Sequence, residues 1–227
     1  GQTIVASSQD FASILAVNGK PFMVSAFESN PSAMFVTGLS QSKSGGLKAL
    51  WTKAIDLAPV DGMWFSCAGS VSPWNTHLAS EEFPPDARLV QERGSWAELK
   101  TAARSRFGDF TLAAQYFGVS TTDADGDGIP DGAYADFLAR FTPHFYGYPV
   151  EVSLTAEGAP TVKKHYAMGR LSLEVPLVMP DRRTVLMTDD GSNVGLFMFV
   201  ADKADDLSAG RLYAMRAYQT SPVGAPG

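Results

Sequence analysis

Cys67-Ala-Gly-Ser-Val-Ser-Pro-Trp-Asn-Thr-His-Leu-Ala-Ser-Glu-Glu82 is the stretch on which the reading of this chain turns. It opens on the one cysteine of the 227-residue sequence and closes on two adjacent carboxylates. The apolar run Met63-Trp64-Phe65 leads into Cys67, and Thr76-His77-Leu78-Ala79 leads into Glu81-Glu82. Ser70-Val-Ser-Pro73 supplies turn chemistry between them. If both flanks are strands of one hairpin, the thiol and a carboxylate meet at the same end of the sheet. A thiolate beside carboxylates is a mixed soft and hard donor set, which suits a transition metal such as iron. The plain alternative for Cys67 is a buried, inert core thiol.

Outward from this stretch, clusters of Gly, Pro, Ser and Asp cut the chain into short apolar runs. That pattern predicts a mainly β fold with one helical insertion. The expected strands of a first series are Pro21–Phe27, Met34–Leu39, Leu50–Leu57, Met63–Ala68 and His77–Glu82. A second series comprises Tyr148–Leu154, Thr161–Met168, Thr184–Thr188, Gly195–Val200 and Arg211–Ala217. Asp189-Asp190-Gly191-Ser192-Asn193 reads as the turn of a hairpin. Between the series, residues 84–144 read as helical. Ser95-Trp-Ala-Glu98 is a capping box running into Leu99–Arg104, and Asp131–Phe141 places Tyr134, Phe137, Leu138 and Phe141 on one face. This excursion looks too short and interrupted to hold much core of its own. Residues 1–227 are therefore expected to form a single region that carries the 84–144 insertion.

Composition narrows the function. A 45% apolar content with 14 Phe and 4 Trp describes a chain that folds around a core. No run approaches the roughly 20 apolar residues of a membrane helix, so no membrane span is expected. The net charge of −6 argues against nucleic acid as a partner and is compatible with binding cations. Gly1-Gln2-Thr3 has neither the charged start nor the apolar core of a signal peptide, which leaves a cytosolic chain, a mature secreted product or a piece of something longer. His77, His144 and His165 form no paired metal spacing, and no Gly-x-Ser-x-Gly or phosphate loop occurs. His77 is expected to be a strand histidine, in the core or at an edge.

A second metal signal is Asp123-Ala-Asp125-Gly-Asp127-Gly128-Ile-Pro-Asp131. Oxygen donors at alternate positions followed by glycine are the pattern of a calcium loop. The loop departs from the helix-loop-helix calcium pattern, since Tyr134 stands at the twelfth position. The calcium candidates are Asp123, Asp125, Asp127 and Asp131, against the alternative of a solvated acidic turn.

The Cys67–Glu82 stretch resembles the secreted alkaline phosphatases of the PhoX type, whose members carry Cys-Ala-Gly-Ser/Thr-Val-Ser/Thr-Pro-Trp-Gly-Thr followed by Glu-Glu. Asn75 replaces the usual glycine. Tyr146-Gly-Tyr-Pro-Val-Glu-Val152 and Met168-Gly-Arg-Leu-Ser-Leu-Glu174 resemble two further segments of that family, with Leu173 where the family has histidine. That replacement is expected to remove polar support from Glu174. Thr188-Asp189-Asp190-Gly191 resembles the family's Thr-Glu-Asp turn, and Ala26-Phe27-Glu28 its Asn-His-Glu.

The resemblance implies a β-propeller, of which this chain would be part, and a periplasmic or extracellular location. It implies a metal cluster of iron and calcium that hydrolyses phosphomonoesters. On that reading Cys67 and Glu82, with Glu174, hold iron, Glu28 is a further metal ligand, and Asp189 serves a calcium. The family's full propeller is more than twice this length, so a second chain or a further segment would complete it. The rival reading is a catalytically inactive scaffold or assembly subunit, stiffened by calcium. An esterase or lactonase on a calcium propeller lacks a supporting motif.

Overall fold

The structure is a computed structural model that describes residues 8–192, 194–216 and 218. Asn193 of the expected turn, Ala217 of the last expected strand and both chain ends lie outside the described residues. Among the described residues, twelve strands form three antiparallel sheets of four, each a run of consecutive strands. Sheet A holds β1 (Gln9–Val17), β2 (Lys20–Phe27), β3 (Ala33–Gln41) and β4 (Leu47–Ala54). Sheet B holds β5 (Ser66–Val71), β6 (His77–Glu81), β7 (Val150–Leu154) and β8 (Pro160–Lys164). Sheet C holds β9 (Leu173–Val178), β10 (Thr184–Asp189), β11 (Leu196–Lys203) and β12 (Asp206–Ala214).

Sheet B lies between the other two, and its strand β6 is buried on both faces. Successive residues of a strand point to opposite sides, so Leu78 enters the core shared with sheet C while Ala79 enters the core shared with sheet A. Leu15, Phe22, Val24, Met34 and Val36 face Val150 and Val152 across the first core. Leu173, Val185, Met187 and Phe199 pack around Leu78 and Met168 in the second. All five residues of β6 are consequently buried. The first strands of the three sheets stand side by side, with β5 between β1 and β9.

Two strands were not anticipated by apolar runs. β1 is joined to β2 by the two-residue turn Asn18-Gly19, both at positive φ, which is a strong hairpin signal. β9 was read only as a family-like segment, because Pro176 interrupts its pattern.

The helices α1 (Ala87–Gln91), α2 (Trp96–Ala103), α3 (Phe107–Tyr116) and α4 (Tyr134–Arg140) all fall between β6 and β7. The Ser95 side chain accepts the Glu98 N–H at 3.3 Å, and Glu98 in turn accepts from Gly94 N at 2.8 Å. Contrary to the sequence expectation, this layer has a substantial core. Trp96 stacks on Phe137 at 5.0 Å, Phe137 on Phe141 at 4.8 Å, and Phe141 on Tyr146 at 5.3 Å. Large aromatic rings bury enough surface per residue for a short, interrupted segment to pack. Trp64 joins the same cluster, so the insertion's core begins at the entrance to β5.

Candidate metal centre

Each sheet departs from regular pairing at the same place. In sheet A, Gln9 pairs with Phe27 but the next partners are Ala12 and Ser25; in sheet B, Ser66 pairs with Glu81 and then Gly69 with Ala79; in sheet C, Leu173 pairs with Asp189 and then Pro176 with Met187. One extra residue is thus inserted near the start of every first strand, a β-bulge. The side chains carried by these bulges are Asp10, Cys67 and Glu174. A bulge re-aims a side chain relative to the regular alternation, and all three bring theirs to one point: Cys67 Sγ lies 3.6 Å from Asp10 Oδ2 and 3.4 Å from Glu174 Oε2.

The second strands repeat the device. Glu28, Glu82 and Asp190 are the residues that follow β2, β6 and β10. Their N–H groups donate to Ser8 O, Phe65 O and Ser172 O at 2.8, 2.9 and 2.8 Å, each acceptor being the residue just before a first strand. The same register therefore delivers two side chains per sheet: Asp10 with Glu28, Cys67 with Glu82, and Glu174 with Asp190. Ligand atoms of Glu28, Cys67 and Glu82 lie within 4.8 Å of one another, as do those of Glu82, Glu174 and Asp190. Glu82 belongs to both sets. Ser80 Oγ sits 2.5 Å from Ala68 O and 2.7 Å from Glu174 O, tying two of the bulges together. Gly69 ends the sheet B bulge with no room for a side chain, because a Cβ there would run into the Leu78 carbonyl.

The cluster disfavours its own charged forms. Burial, with the neighbouring Glu82, Asp10 and Glu174 charges, pushes the Cys67 thiol up. Burial also raises Glu82, helped by the Asp190 carboxyl and the Glu174 charge, to about 8. Among the described residues no lysine or arginine forms an ion pair with any of these groups.

Of the residues expected from sequence, Cys67, Glu82, Glu174 and Glu28 are thus brought together. Asp189 is placed elsewhere: its Oδ1 accepts the Ser172 N–H at 2.7 Å, and it is Asp190 that joins the set. Asp10 was missed because β1 was missed. Leu173, which stands where the family has histidine, is fully buried in the hydrophobic core of sheet C. Asn75 occupies a left-handed position (φ 65) that suits the family's glycine and that asparagine tolerates.

The rest of the motif locks the scaffold. Trp74 Nε1 and Thr76 Oγ1 both donate to Glu151 Oε1 at 2.6 Å, and His165 Nε2 lies 2.8 Å from Glu151 Oε2. His77 is fully buried, held by Ser13 Oγ at 2.8 Å, and burial lowers its pKa to about 3, so it is a neutral core residue. The second acidic set is exposed. Asp123, Asp125 and Asp127 have oxygens within 4.8 Å of one another. Asp123 accepts from Gly126 N and Gly128 N, both at 2.8 Å, whereas Asp131 turns its Oδ2 to Ala124 N at 2.9 Å.

The family model described as alkaline phosphatase PhoX matches residues 44–221, a stretch that includes Cys67, Glu82, Glu174 and Asp190. The chain belongs to the PhoX alkaline phosphatase family. No curated protein matches it. Among solved structures, Pseudomonas fluorescens PhoX in complex with vanadate, a transition-state analogue, shares the fold with a TM-score of 0.52 at 17% identity. The match covers 91% of this chain and 45% of that one, so this chain spans under half the length of that PhoX. Asp10 and Glu28 precede the region matched by the family model. No helix among the described residues is long and apolar enough to cross a membrane.

Proposed function

We propose that this chain supplies the metal-holding part of a PhoX-type phosphatase that hydrolyses phosphomonoesters. The observation that carries the reading is the threefold repetition of bulge and strand end, which gathers five carboxylates and a thiol from three sheets. The donor set fits cations: oxygen donors suit calcium, and the thiol adds the soft donor that suits iron. Fit is also supported because, among the described residues, no lysine or arginine pairs with the groups whose charged forms burial disfavours. Bound cations would polarise a phosphoryl group and neutralise its charge. The chain's own part is to hold the donors in place: Glu82 serves both ligand sets, Asp10 and Glu174 flank the thiol, and Ser80 fixes two bulges against each other.

In this reading the three sheets are blades of a propeller completed by a second chain or a further segment. The outer face of sheet C supports that: Leu177, Leu186, Met198 and Tyr213 are in register across all four strands, with Leu177 48% and Tyr213 45% exposed. The protein works outside the cytoplasm, in the periplasm or beyond. The Asp123–Asp127 loop binds calcium and stiffens the insertion. A second reading, an inactive calcium-stiffened scaffold, draws on the chain's coverage of less than half of PhoX.

Metal analysis of the purified protein, together with a phosphomonoesterase assay, tests both. Iron with calcium and ester hydrolysis support the phosphatase, and calcium alone without hydrolysis supports the scaffold. Absence of both metals overturns both. Cys67→Ser should lose iron and retain calcium, because serine keeps the volume and loses the soft donor.

A further inference from the structure

A cavity of about 350 Å³ is lined by Trp64, Phe83, Pro84, Pro85, Leu89 and Phe110, with Asp86, Ser172 and the half-exposed Arg106 also on its wall. We infer that this cavity is the subsite for the organic part of the ester and that it selects planar aromatic groups. The inference rests on the phosphatase reading. Its size falls within the roughly 300–1,000 Å³ of small-molecule sites.

The cavity shares its backbone with the cluster. Phe83 follows Glu82 directly, and its N–H donates at 2.9 Å to Ser172 Oγ, two residues before Glu174. Trp64 and Phe65 lead into Cys67. Both Phe65 and Phe83 sit at positive φ, 38° and 45°, a conformation that bulky side chains rarely adopt. Such outliers persist where the surrounding structure holds them, and they gather at functional sites. Here they aim two rings at one guanidinium: Arg106 lies 5.0 Å from the Phe65 centroid and 5.8 Å from that of Phe83. Asp109 Oδ2 fixes Arg106 Nε at 2.5 Å, and Asp109 O is itself held by Asn30 Nδ2 at 2.9 Å.

Most of the wall is apolar, its Arg106 is already paired with Asp109, and Asp86 adds a carboxylate, so the charged phosphoryl end of an ester gains little by entering. A flat apolar group gains burial against Phe83, Leu89 and Phe110, and a planar cation to stack upon. A small polyol group offers neither. The helical insertion thereby acquires a role in choosing the substrate, through Leu89, Arg106 and Phe110.

Binding of 1-naphthol, the dephosphorylated product of 1-naphthyl phosphate, tests the subsite by calorimetry on the purified protein without any turnover. Saturable binding is expected to weaken about tenfold in Phe83→Gly, through loss of one aromatic wall. Glycine adopts the positive φ of position 83 without strain, so the variant keeps the fold. In hydrolysis, Phe83→Gly should lower kcat/KM for 1-naphthyl phosphate about tenfold relative to glycerol phosphate, chiefly through KM. Failure of the wild type to bind naphthol, or equal binding by Phe83→Gly, overturns the subsite. Naphthol binding that Phe83→Gly weakens, with no ester hydrolysed, supports the aromatic subsite and overturns the phosphatase reading instead.

Discussion

Glu81 and Glu82 are neighbours in sequence, both are buried, and they live in opposite electrostatic surroundings. Glu81 receives four donors: Trp64 N and Lys164 Nζ, each at 3.0 Å, on one oxygen, and Gly147 N and Tyr148 N at 2.9 and 3.1 Å on the other. Burial pushes its carboxyl up, and the Lys164 ammonium with the backbone donors pulls it back. Lys164 also reaches Gly62 O and Phe145 O, so the pair pins β8 to the segment before β5 and to the end of the helical insertion. Glu82 has acids and a thiol around it instead. The comparison teaches how to tell a structural carboxylate from one kept for a ligand. The first has its donors supplied by the protein, and the second is left short of them.

The largest effect is expected at the satisfied pair. Lys164→Met strands the Glu81 charge in the interior and should cost about 3–5 kcal/mol, measured by denaturant unfolding. A smaller loss would mean that the three backbone donors suffice for Glu81. At the other pole, Glu82→Gln should leave the metal-free protein at least as stable as before, since it removes a carboxyl whose charged form the site disfavours, while weakening metal binding about tenfold or more by titration calorimetry. Destabilisation of the metal-free protein would show that Glu82 is a structural group like its neighbour.

Glu151 sharpens the contrast as a second satisfied acid. Burial alone would raise its pKa, yet hydrogen bonds from His165, Thr76 and Trp74 outweigh that and hold it below its ordinary value. A depressed folded pKa stabilises the protein above the ordinary value of 4.5, and that stabilisation is lost as pH falls through the folded value. Thr76→Val, which removes one donor, should cost about 1–2 kcal/mol at pH 7 and less at pH 3, by thermal melts. An equal loss at both pH values would mean that Thr76 acts through packing alone. The smallest effect belongs to the exposed aspartates. Chelator should speed proteolysis between residues 117 and 137 a few-fold in the wild type, and Asp123→Asn should be cleaved quickly with or without chelator. Equal cleavage of the wild type in both conditions would make the loop a solvated turn.

Much of the fold could be read along the chain, for local reasons. Short apolar runs bounded by turn residues located most strands, and the Ser95–Glu98 cap located α2. The turn Asn18-Gly19 is a local signal for β1, and hence for the strand that carries Asp10, that apolar runs alone do not supply. Asp190 was harder. Adjacent aspartates at the end of β10 are equivalent in composition, and only the pairing with β9 sends Asp189 to the Ser172 N–H and Asp190 to the cluster. The insertion's core was underestimated because its rings are scattered from Trp64 to Tyr146, and none of their spacings marks them as mutual partners.

By itself the sequence determined the β class, the helical excursion and the family, because short apolar runs, capping and a dense motif are properties of neighbouring residues. It also singled out Cys67 and Glu82 through that motif, and Glu174 and Glu28 through two separate segments that resemble the family. The repetition of one donor pair per sheet was decided only by the tertiary structure. A bulge is a mismatch between two strands, invisible in either alone, and three such mismatches converge only once β1, β5 and β9 lie side by side. The division of labour between Glu81 and Glu82 has the same origin, since it depends on where Lys164, far away in the chain, places its ammonium.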